Sequence, residues 1–372
     1  MNWKLALSML VIPLVLFSFN ANAQWTMYGN NLNHLGFENS TAPTNSSFWA
    51  YNTTSPVEGG CAVDNSFSSG RVFFGNANGT FYALNEKNGA VAWTLSTNSS
   101  IIDVPAVDAA NKMVFFGNAN GTFYALNEKS GVLMWSFQSG RYIKGSPAVD
   151  RGVVFFGSSN GVFYALNESN GNKLWSYGVR GMIFSSPAVD NGLIFFESYG
   201  ALYALFEANG TLAWNFTRVT TALGSLLEYS PTVDNGLVLI GNINRNIYAL
   251  NESTGGVVWN FTTVGTAIGS PAVDRGVVFA TTSGDFVYAF NESNGNELWS
   301  FKAGGTSIQS SPAIAGGEVF FGSNDKNVFA LNESTGFEIW YFTTGGYIES
   351  NPAISDGILF IGSSDGVLYA FK

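Results

Sequence analysis

The sequence has little cysteine, histidine and charge. Cys61 is the only cysteine, which excludes an intramolecular disulfide, and His34 alone leaves little for a zinc site or Ser-His catalysis. Charged residues make up 11% of the chain, against roughly 25% in ordinary globular domains, which excludes a disordered chain and a coiled coil. The 16 Lys and Arg face 26 Asp and Glu and form no cluster. Nucleic acid is therefore not expected as a partner, because phosphate binding needs a basic stripe.

Glycine and aromatic residues are abundant. The 43 Gly and 10 Pro would interrupt long helices, whereas 32 Phe, 15 Tyr and 10 Trp favour half-buried strands. The composition therefore predicts an all-β protein.

The first 23 residues have the pattern of a secretory signal peptide. Lys4 precedes an apolar run over residues 5–19, and Ala21-Asn22-Ala23 forms a small-residue cleavage site. A retained membrane anchor is the alternative, but about 15 apolar residues fall short of the roughly 20 that span a bilayer. No cysteine near the cleavage site offers a lipid attachment point. We expect a soluble extracytoplasmic monomer, secreted, periplasmic or on the cell surface, with no membrane span after cleavage.

Asn-x-Ser/Thr triplets recur along the exported part of the chain. They could carry glycans, or they could reflect turn chemistry, since Asn, Ser and Thr are turn residues and four triplets are copies of one Asn-Glu-Ser element. The sequence leaves both readings open. The triplets begin at Asn39, Asn45, Asn52, Asn78, Asn98, Asn120, Asn167, Asn209, Asn215, Asn251, Asn260, Asn291 and Asn332.

One unit recurs about every 40 residues from residue 57 to the C-terminus. It is clearest over residues 146–177, SPAVDRGVVFFGSSNGVFYALNESNGNKLWSY. Apolar runs of four to six residues alternate with Gly, Asn and Asp turn signals, which predicts four short strands per unit. Since solenoid repeats are generally shorter or helical, this period predicts a β-propeller. The Asp at the first turn of most units, such as Asp150 and Asp190, is expected to cap that turn.

The two ends of the chain complete each other. The last unit stops at Lys372 before any tryptophan strand, and residues 48–53 supply such a strand with no Tyr-Ala-Leu element ahead of it. We therefore predict an eight-bladed β-propeller of four-stranded antiparallel blades over residues 48–372. It is closed by an N-terminal strand that completes the C-terminal blade and leaves no long sheet edge open. Residues 24–47 are predicted to lie as a strap over the ring.

The repeat resembles the eight-bladed quinoprotein-like propellers with a tryptophan-docking repeat, whose pattern is Ala-x-Asp-x-x-Thr-Gly-x-x-x-Trp. Residues 165–175 carry it as ALNESNGNKLW, with Asn in place of the family Asp, and nearly all of residues 48–372 take part. The resemblance implies that one tryptophan per unit packs between blades. These tryptophans are Trp49, Trp93, Trp135, Trp175, Trp214, Trp259, Trp299 and Trp340.

The family contains enzymes and non-enzymes. The resemblance implies that enzymatic members oxidise alcohols or sugars with pyrroloquinoline quinone and calcium, and the methanol-dehydrogenase type uses a vicinal cysteine pair. Cys61 has no neighbouring cysteine, and eight minimal blades leave no long insertion to wall a cofactor pocket. No cofactor is therefore predicted. The resemblance extends to BamB-type proteins and other small exported propellers of the family. The leading hypothesis is a secreted, non-catalytic scaffold that binds a protein or small ligand, and the alternative is a quinone-dependent dehydrogenase of alcohols or sugars.

A site is expected where each outer strand leads into the next inner strand, because these loops crowd around the channel mouth. Tyr142 and Tyr347 lie in such loops, with Arg141 and Arg180 nearby. Polar and aromatic groups facing one funnel could bind a small polar ligand or a cation, or they could be solvated loop tips. His34, in the strap, could be a ligand or base or an ordinary polar contact. The candidate ligand-binding residues are Glu58, Asp103, Lys144, Glu228, Gln309 and Glu349.

Overall fold

The computed structural model describes residues 26–217 and 230–372, and its regular structure is entirely β-strand. Within these two ranges, a search for a helix long and apolar enough to cross a membrane finds none. The signal peptide prediction for residues 1–23 lies outside the described residues. The described chain begins with two strands before the first complete blade, β1 (Phe37–Glu38) and β2 (Ser47–Asn52).

Eight four-stranded antiparallel blades form the propeller, which confirms the predicted fold class. Blade 1 contains β3 (Ala62–Asp64), β4 (Arg71–Gly75), β5 (Thr80–Asn85) and β6 (Val91–Ser96). Blade 2 contains β7 (Ala106–Asp108), β8 (Met113–Gly117), β9 (Thr122–Asn127) and β10 (Leu133–Gln138). Blade 3 contains β11 (Ala148–Asp150), β12 (Val153–Gly157), β13 (Val162–Asn167) and β14 (Lys173–Gly178). Blade 4 contains β15 (Ala188–Asp190), β16 (Leu193–Ser198), β17 (Ala201–Phe206) and β18 (Leu212–Thr217).

The remaining blades follow the same order from the innermost strand to the outermost. Blade 5 contains β19 (Thr232–Asp234), β20 (Leu237–Gly241), β21 (Asn246–Asn251) and β22 (Val257–Thr262). Blade 6 contains β23 (Ala272–Asp274), β24 (Val277–Thr281), β25 (Phe286–Asn291) and β26 (Glu297–Lys302). Blade 7 contains β27 (Ala313–Ala315), β28 (Glu318–Gly322), β29 (Asn327–Asn332) and β30 (Glu338–Thr343). Blade 8 contains β31 (Ala353–Ser355), β32 (Ile358–Gly362) and β33 (Val367–Phe371), to which β2 adds the fourth strand.

The middle strands of each blade are continuous apolar runs because both of their faces are covered by neighbouring blades. In blade 3, Phe155 and Phe156 point to opposite faces of β12, and both are fully buried. Phe156 stacks on Phe123 of blade 2 at 4.2 Å between ring centroids, and Phe163 stacks on Phe196 of blade 4 at 4.3 Å. Aromatic layers of this kind fill the space between the blades.

Closure of the ring by the N-terminal strand is confirmed. Strand β2 pairs antiparallel with β33, with Ala50 opposite Tyr369 and Asn52 opposite Val367. The Lys372 N–H donates to the Ser46 carbonyl at 3.1 Å. The two chain ends therefore build one sheet.

Seven tryptophans dock onto the next blade in the same way. The Trp175 Nε1–H donates to the Glu207 carbonyl of blade 4 at 3.1 Å. The indole covers Gly210, whose φ of +69° an L-residue rarely adopts, and a Cβ on this glycine would lie 2.3 Å from Trp175 Cε3. The same bond to a glutamate carbonyl is made by Trp49, Trp93, Trp135, Trp214, Trp259 and Trp299.

Trp340 is the exception, because its neighbour is blade 8. In other blades the indole is received by the hairpin between the third and fourth strands, whereas in blade 8 the fourth strand is β2, which comes from the N-terminal side. The Trp340 Nε1 is buried without a hydrogen-bond partner among the described residues. Its ring packs against Phe320 and Phe371 instead.

Residues 26–38 cross the channel and pair with the inner edges of several blades. The carbonyls of Thr26, Leu32, Asn33, Leu35 and Gly36 accept N–H groups from inner strands of blades 2, 4, 5, 6 and 7. Strand β1 then runs parallel to β27. This segment satisfies edge N–H groups that would otherwise face the channel.

The first-turn aspartates follow two patterns. Asp64 caps its turn as predicted, accepting the Ser66 N–H at 2.8 Å, and Asp108 accepts the Ala110 N–H at 2.8 Å. The four later ones do not cap in this way, because two-residue turns with positive φ follow them. Their carboxylates face a buried or half-buried glutamate of the next blade, as Asp274 faces the buried Glu333, with Arg275 bonded to both.

The Asn-x-Ser/Thr triplets have a structural role in the turns. In six of them the side-chain hydroxyl of the third residue donates to the asparagine Oδ1, which fixes the local turn. In one such pair, the Thr122 hydroxyl donates to Asn120 Oδ1 at 2.6 Å. Glycosylation of the triplets remains a prediction.

Candidate functional site

The candidate site is a cavity of about 340 Å³ at the channel mouth, which we call the cup. It lies where the loops from outer strands enter the next inner strand. Of the six residues predicted from the sequence, five line it: Glu58, Asp103, Lys144, Gln309 and Glu349. Glu228 lies outside the described residues. The structure thus brings together side chains from the entry loops of blades 1, 2, 3, 7 and 8.

A belt of short polar side chains forms the inner wall of the cup. Each stands just before a proline that leads into an inner strand, and its side-chain oxygen accepts a backbone N–H from the adjacent blade. The Val104 N–H donates to Ser146 Oγ at 2.8 Å, and the Ser311 N–H donates to Asn351 Oδ1 at 2.7 Å. The belt consists of Ser146, Ser186, Ser230, Ser311 and Asn351. At the equivalent position of blade 6, the Ser270 hydroxyl instead donates to the Ser230 carbonyl at 2.8 Å.

Tyr28 closes the cup on the side opposite the mouth. Its hydroxyl lies 2.8 Å from Ser270 Oγ and 3.0 Å from Ser311 Oγ. In blades 4 to 7 the strap pairs with the inner strand three residues beyond the serine that precedes the proline, for example at Val189 after Ser186. Tyr28 therefore reaches the belt from below and makes the floor polar.

Asp103 is the most deeply buried ionisable group of the cup. One carboxylate oxygen, Oδ2, accepts the Gly117 N–H at 2.8 Å. The other, Oδ1, is buried and has no hydrogen-bond partner among the described residues. Burial raises the pKa of Asp103 well above its ordinary value, although the hydrogen bond from Gly117 opposes this shift.

Lys144, Glu349 and Glu58 form a second charged group in the cup. Burial lowers the pKa of Lys144, and the negative charges of Glu349 and Glu58 oppose this shift. Burial and the charge of Glu58 raise the pKa of Glu349, while Lys144 and a hydrogen bond from Gln309 lower it. The charge of the lysine thus interacts with two carboxylates.

Aromatic rings surround this charged group. Phe184 lines the cup, and the Lys144 ammonium lies 5.8 Å from its ring centroid. Tyr142 packs against Phe184 at 6.0 Å, and burial, together with the charges of Asp103 and Glu58, raises the pKa of its hydroxyl. Tyr347 is exposed and lies outside the lining.

His34 is buried under the ring and does not line the cup. Its Nδ1 lies 2.7 Å from the Pro231 carbonyl oxygen, and its ring meets Tyr28 edge to face at 5.0 Å. Burial lowers the pKa of His34 to about 4. These contacts favour the polar-contact hypothesis, with His34 fixing the strap and Tyr28.

The described part of the cup lacks the vicinal cysteine pair that the resemblance implies for the methanol-dehydrogenase type. Cys61 is a buried thiol whose pKa is raised by burial, and it does not line the cavity. Within residues 26–217 and 230–372, no three His, Cys, Asp or Glu side chains group closely enough to bind one metal ion. We therefore derive no catalytic step through pyrroloquinoline quinone or calcium.

Sequence reasoning missed Tyr28, Phe184 and the serine belt. The belt had a visible signal, since Ser-Pro recurs in most units at the start of the inner strand. Tyr28 had none, because the strap has no repeat and its path depends on which inner edges it pairs with.

Comparison with known proteins identifies relatives along the whole ring. The family model described as "Outer membrane protein assembly factor BamB" matches residues 39–144, 119–233 and 202–372. A sequence search of curated proteins finds no match.

Solved structures of similar fold include a BamB protein and two dehydrogenases. BamB from Moraxella catarrhalis is 19% identical with a TM-score of 0.74, over 88% of this chain and 99% of that one. A europium-containing methanol dehydrogenase is 14% identical with a TM-score of 0.79, and the match covers 94% of this chain and 98% of that one. The quinohemoprotein alcohol dehydrogenase of Comamonas testosteroni is 14% identical with a TM-score of 0.76, and the match covers 94% of this chain and 80% of that one. At these identities the likeness concerns the fold.

Proposed function

The chain belongs to the family of the outer membrane protein assembly factor BamB, and on that premise we propose that it is a non-catalytic extracytoplasmic scaffold. Its channel mouth binds a partner protein or a small polar ligand. One observation carries the proposal: side chains from the entry loops of five blades converge on a single cavity that opens at one face of the ring. The predicted signal peptide supports a location outside the cytoplasm.

The scaffold role fits a chain in which nearly every described residue belongs to a blade or to a loop between strands. Each blade takes about 40 residues, and the rigid ring holds variable loops at fixed positions around the mouth. Polar and aromatic groups such as Lys144 and Phe184 lie together there, as expected of a recognition surface. An assembly factor needs such a surface and no reacting group.

Site-specific photo-crosslinking tests the proposal. We expect a photoreactive phenylalanine at Tyr347, beside the mouth, to give a discrete adduct in cells that produce the full chain. The matched control is the same group at Phe337, which is 74% exposed on a turn at the opposite face of the ring. Adducts from Phe337 alone, or from neither position, would contradict a mouth-centred scaffold.

A quinone-dependent dehydrogenase of alcohols or sugars is the second candidate, supported by the fold of the methanol dehydrogenase. It ranks lower because the described residues offer neither a vicinal cysteine pair nor a close group of three His, Cys, Asp or Glu side chains for a metal ion. Purified protein mixed with pyrroloquinoline quinone and calcium should show neither stoichiometric quinone absorbance nor dye-linked oxidation. Tight binding with turnover would reverse the ranking.

A further inference from the structure

The cup carries more acidic than basic groups, and its one ammonium interacts with only some of its carboxylates. Its described lining carries the carboxylates of Glu58, Asp103 and Glu349 against the single ammonium of Lys144. Lys144 interacts with Glu349 and Glu58, whereas no cation is among the groups that shift the pKa of Asp103. A carboxylate in a partly closed cavity attracts cations more strongly than one in bulk water.

Asp103 itself indicates a ligand. The residue is 2% exposed, and Oδ1 has no hydrogen-bond partner among the described residues, although Oδ2 accepts the Gly117 N–H. A buried carboxylate oxygen left unpaired is costly, and native proteins rarely keep one without a ligand or a function. Because Asp103 lines the cup, a donor that enters the cup can satisfy this oxygen.

We propose that the cup binds a primary ammonium group, with the Asp103 carboxylate as its anchor. The cup already holds an ammonium, since Lys144 lies beside the Phe184 ring and interacts electrostatically with two carboxylates. The belt adds hydroxyl oxygens, and Ile102, Ile268 and Phe184 supply apolar surface for an alkyl stem. An alkylammonium matches this combination of acid, hydroxyl and apolar surface.

Such a group has two sources, a free small amine or the lysine side chain of a partner protein. This inference deepens the proposed function by naming the chemistry that the mouth recognises. The scaffold and the ligand chemistry can fail separately, because crosslinking at Tyr347 does not depend on an amine.

Calorimetric titration of the full chain tests the proposal with four probes: n-butylamine, Nα-acetyl-lysine amide, n-butanol and calcium chloride. We expect both ammonium probes to bind and the uncharged alcohol not to bind. Since burial raises the pKa of Asp103, a bound cation should release protons, so the measured enthalpy should vary with the ionisation enthalpy of the buffer. Tighter binding of butylamine indicates a small amine, and tighter binding of the capped lysine indicates a partner side chain.

Three variants locate the site. Asp103→Asn should weaken both ammonium probes at least tenfold without lowering the melting temperature, because an asparagine oxygen can still accept the Gly117 N–H. Glu297→Gln is the matched control, since it removes one negative charge from an exposed outer strand and should leave affinity unchanged. Lys144→Met should strengthen binding at least threefold by removing the competing ammonium.

Four results would overturn the proposal. They are the absence of amine binding at millimolar concentration, equal binding by Asp103→Asn, calcium binding tighter than either amine, and unchanged or weaker binding by Lys144→Met.

Discussion

The interface between blades 3 and 4 and the interface between blades 7 and 8 are built from the same repeat but closed differently. At the first, Trp175 donates to the Glu207 carbonyl and covers Gly210. At the second, the equivalent Trp340 has a buried Nε1 without a partner among the described residues. The difference follows from the position of the chain ends, because docking needs a continuous hairpin and blade 8 is assembled from two separate segments.

The comparison shows that ring closure and tryptophan docking are separate sources of stability. The seam between blades 7 and 8 relies on strand pairing and apolar packing in place of docking. Strand β2 pairs with β33, and Phe371 meets Phe342 at 4.9 Å between ring centroids. A ring can therefore omit one dock if its termini pair.

Removing the closing segment should have the largest effect. Deletion of residues 24–53 from the mature chain exposes the edge of β33 and removes the dock of Trp49 on blade 1. We expect the melting temperature to fall by about 10 °C or more, measured by circular dichroism. An unchanged melting temperature would show that the strand is not needed for closure.

A methyl group at a docking glycine should have the next largest effect. Gly210→Ala should lower the free energy of unfolding by about 2 kcal/mol more than Gly192→Ala. Both glycines have a positive φ, but only at Gly210 does the added Cβ meet an indole, and nothing lies within 4 Å at Gly192. Denaturant unfolding measures the difference. Equal losses of unfolding free energy at the two glycines would mean that the indole moves aside without destabilising the fold.

Replacing tryptophan by phenylalanine compares the two interfaces most closely. Trp175→Phe loses the bond to Glu207 and leaves a carbonyl unpaired, whereas Trp340→Phe removes a donor that has no acceptor. We expect Trp175→Phe to cost about 1 kcal/mol more in free energy of unfolding than Trp340→Phe. Equal costs in denaturant titrations would mean that the indole N–H contributes nothing to docking.

Acidity should have the smallest effect, acting through buried glutamates at the docked interfaces. Burial raises the pKa of Glu86 to about 7, of Glu128 to about 8 and of Glu168 to about 7. An aspartate of the preceding blade adds to the shift at the last two, Asp64 at Glu128 and Asp108 at Glu168. The folded chain therefore binds more protons than the unfolded chain over this range, so stability rises as pH falls.

We expect the melting temperature to rise by about 3 °C between pH 8.5 and pH 6.5. The range stops there because the pKa of His34 is lowered to about 4, so protonation of His34 in the unfolded chain opposes folding at lower pH. Glu128→Gln should flatten the profile, and Glu297→Gln, on an exposed strand, should not. A melting temperature that falls over this range would contradict the account.

The sequence predicts the ring well because the repeat is local. Eight indoles set the number of blades, and the incomplete unit at Lys372 indicates the closing strand. The mouth residues were found by position, just before the Ser-Pro element, since entry loops must crowd around the axis. Asp103 was found in this way, although its unpaired oxygen depends on packing that no local pattern encodes.

Features that join distant segments were not predictable. The path of the strap, and with it Tyr28 at the floor of the cup, depends on edge pairing with five blades. The carboxyl pairs between blades were also missed, because Asp64 and Glu128 each resemble an ordinary turn residue in the sequence. Only the geometry of the ring brings them together.

An engineered disulfide between the two chain ends tests closure most directly. Cysteines at Asn52 and Val367, which are opposite each other on β2 and β33, should oxidise quantitatively in a Cys61→Ala background and raise the melting temperature. Cysteines at Val162 and Gly178, the equivalent pair within blade 3, provide the control. Oxidation of the control pair without oxidation of the Asn52–Val367 pair would show that the termini do not share a sheet and that the ring is open.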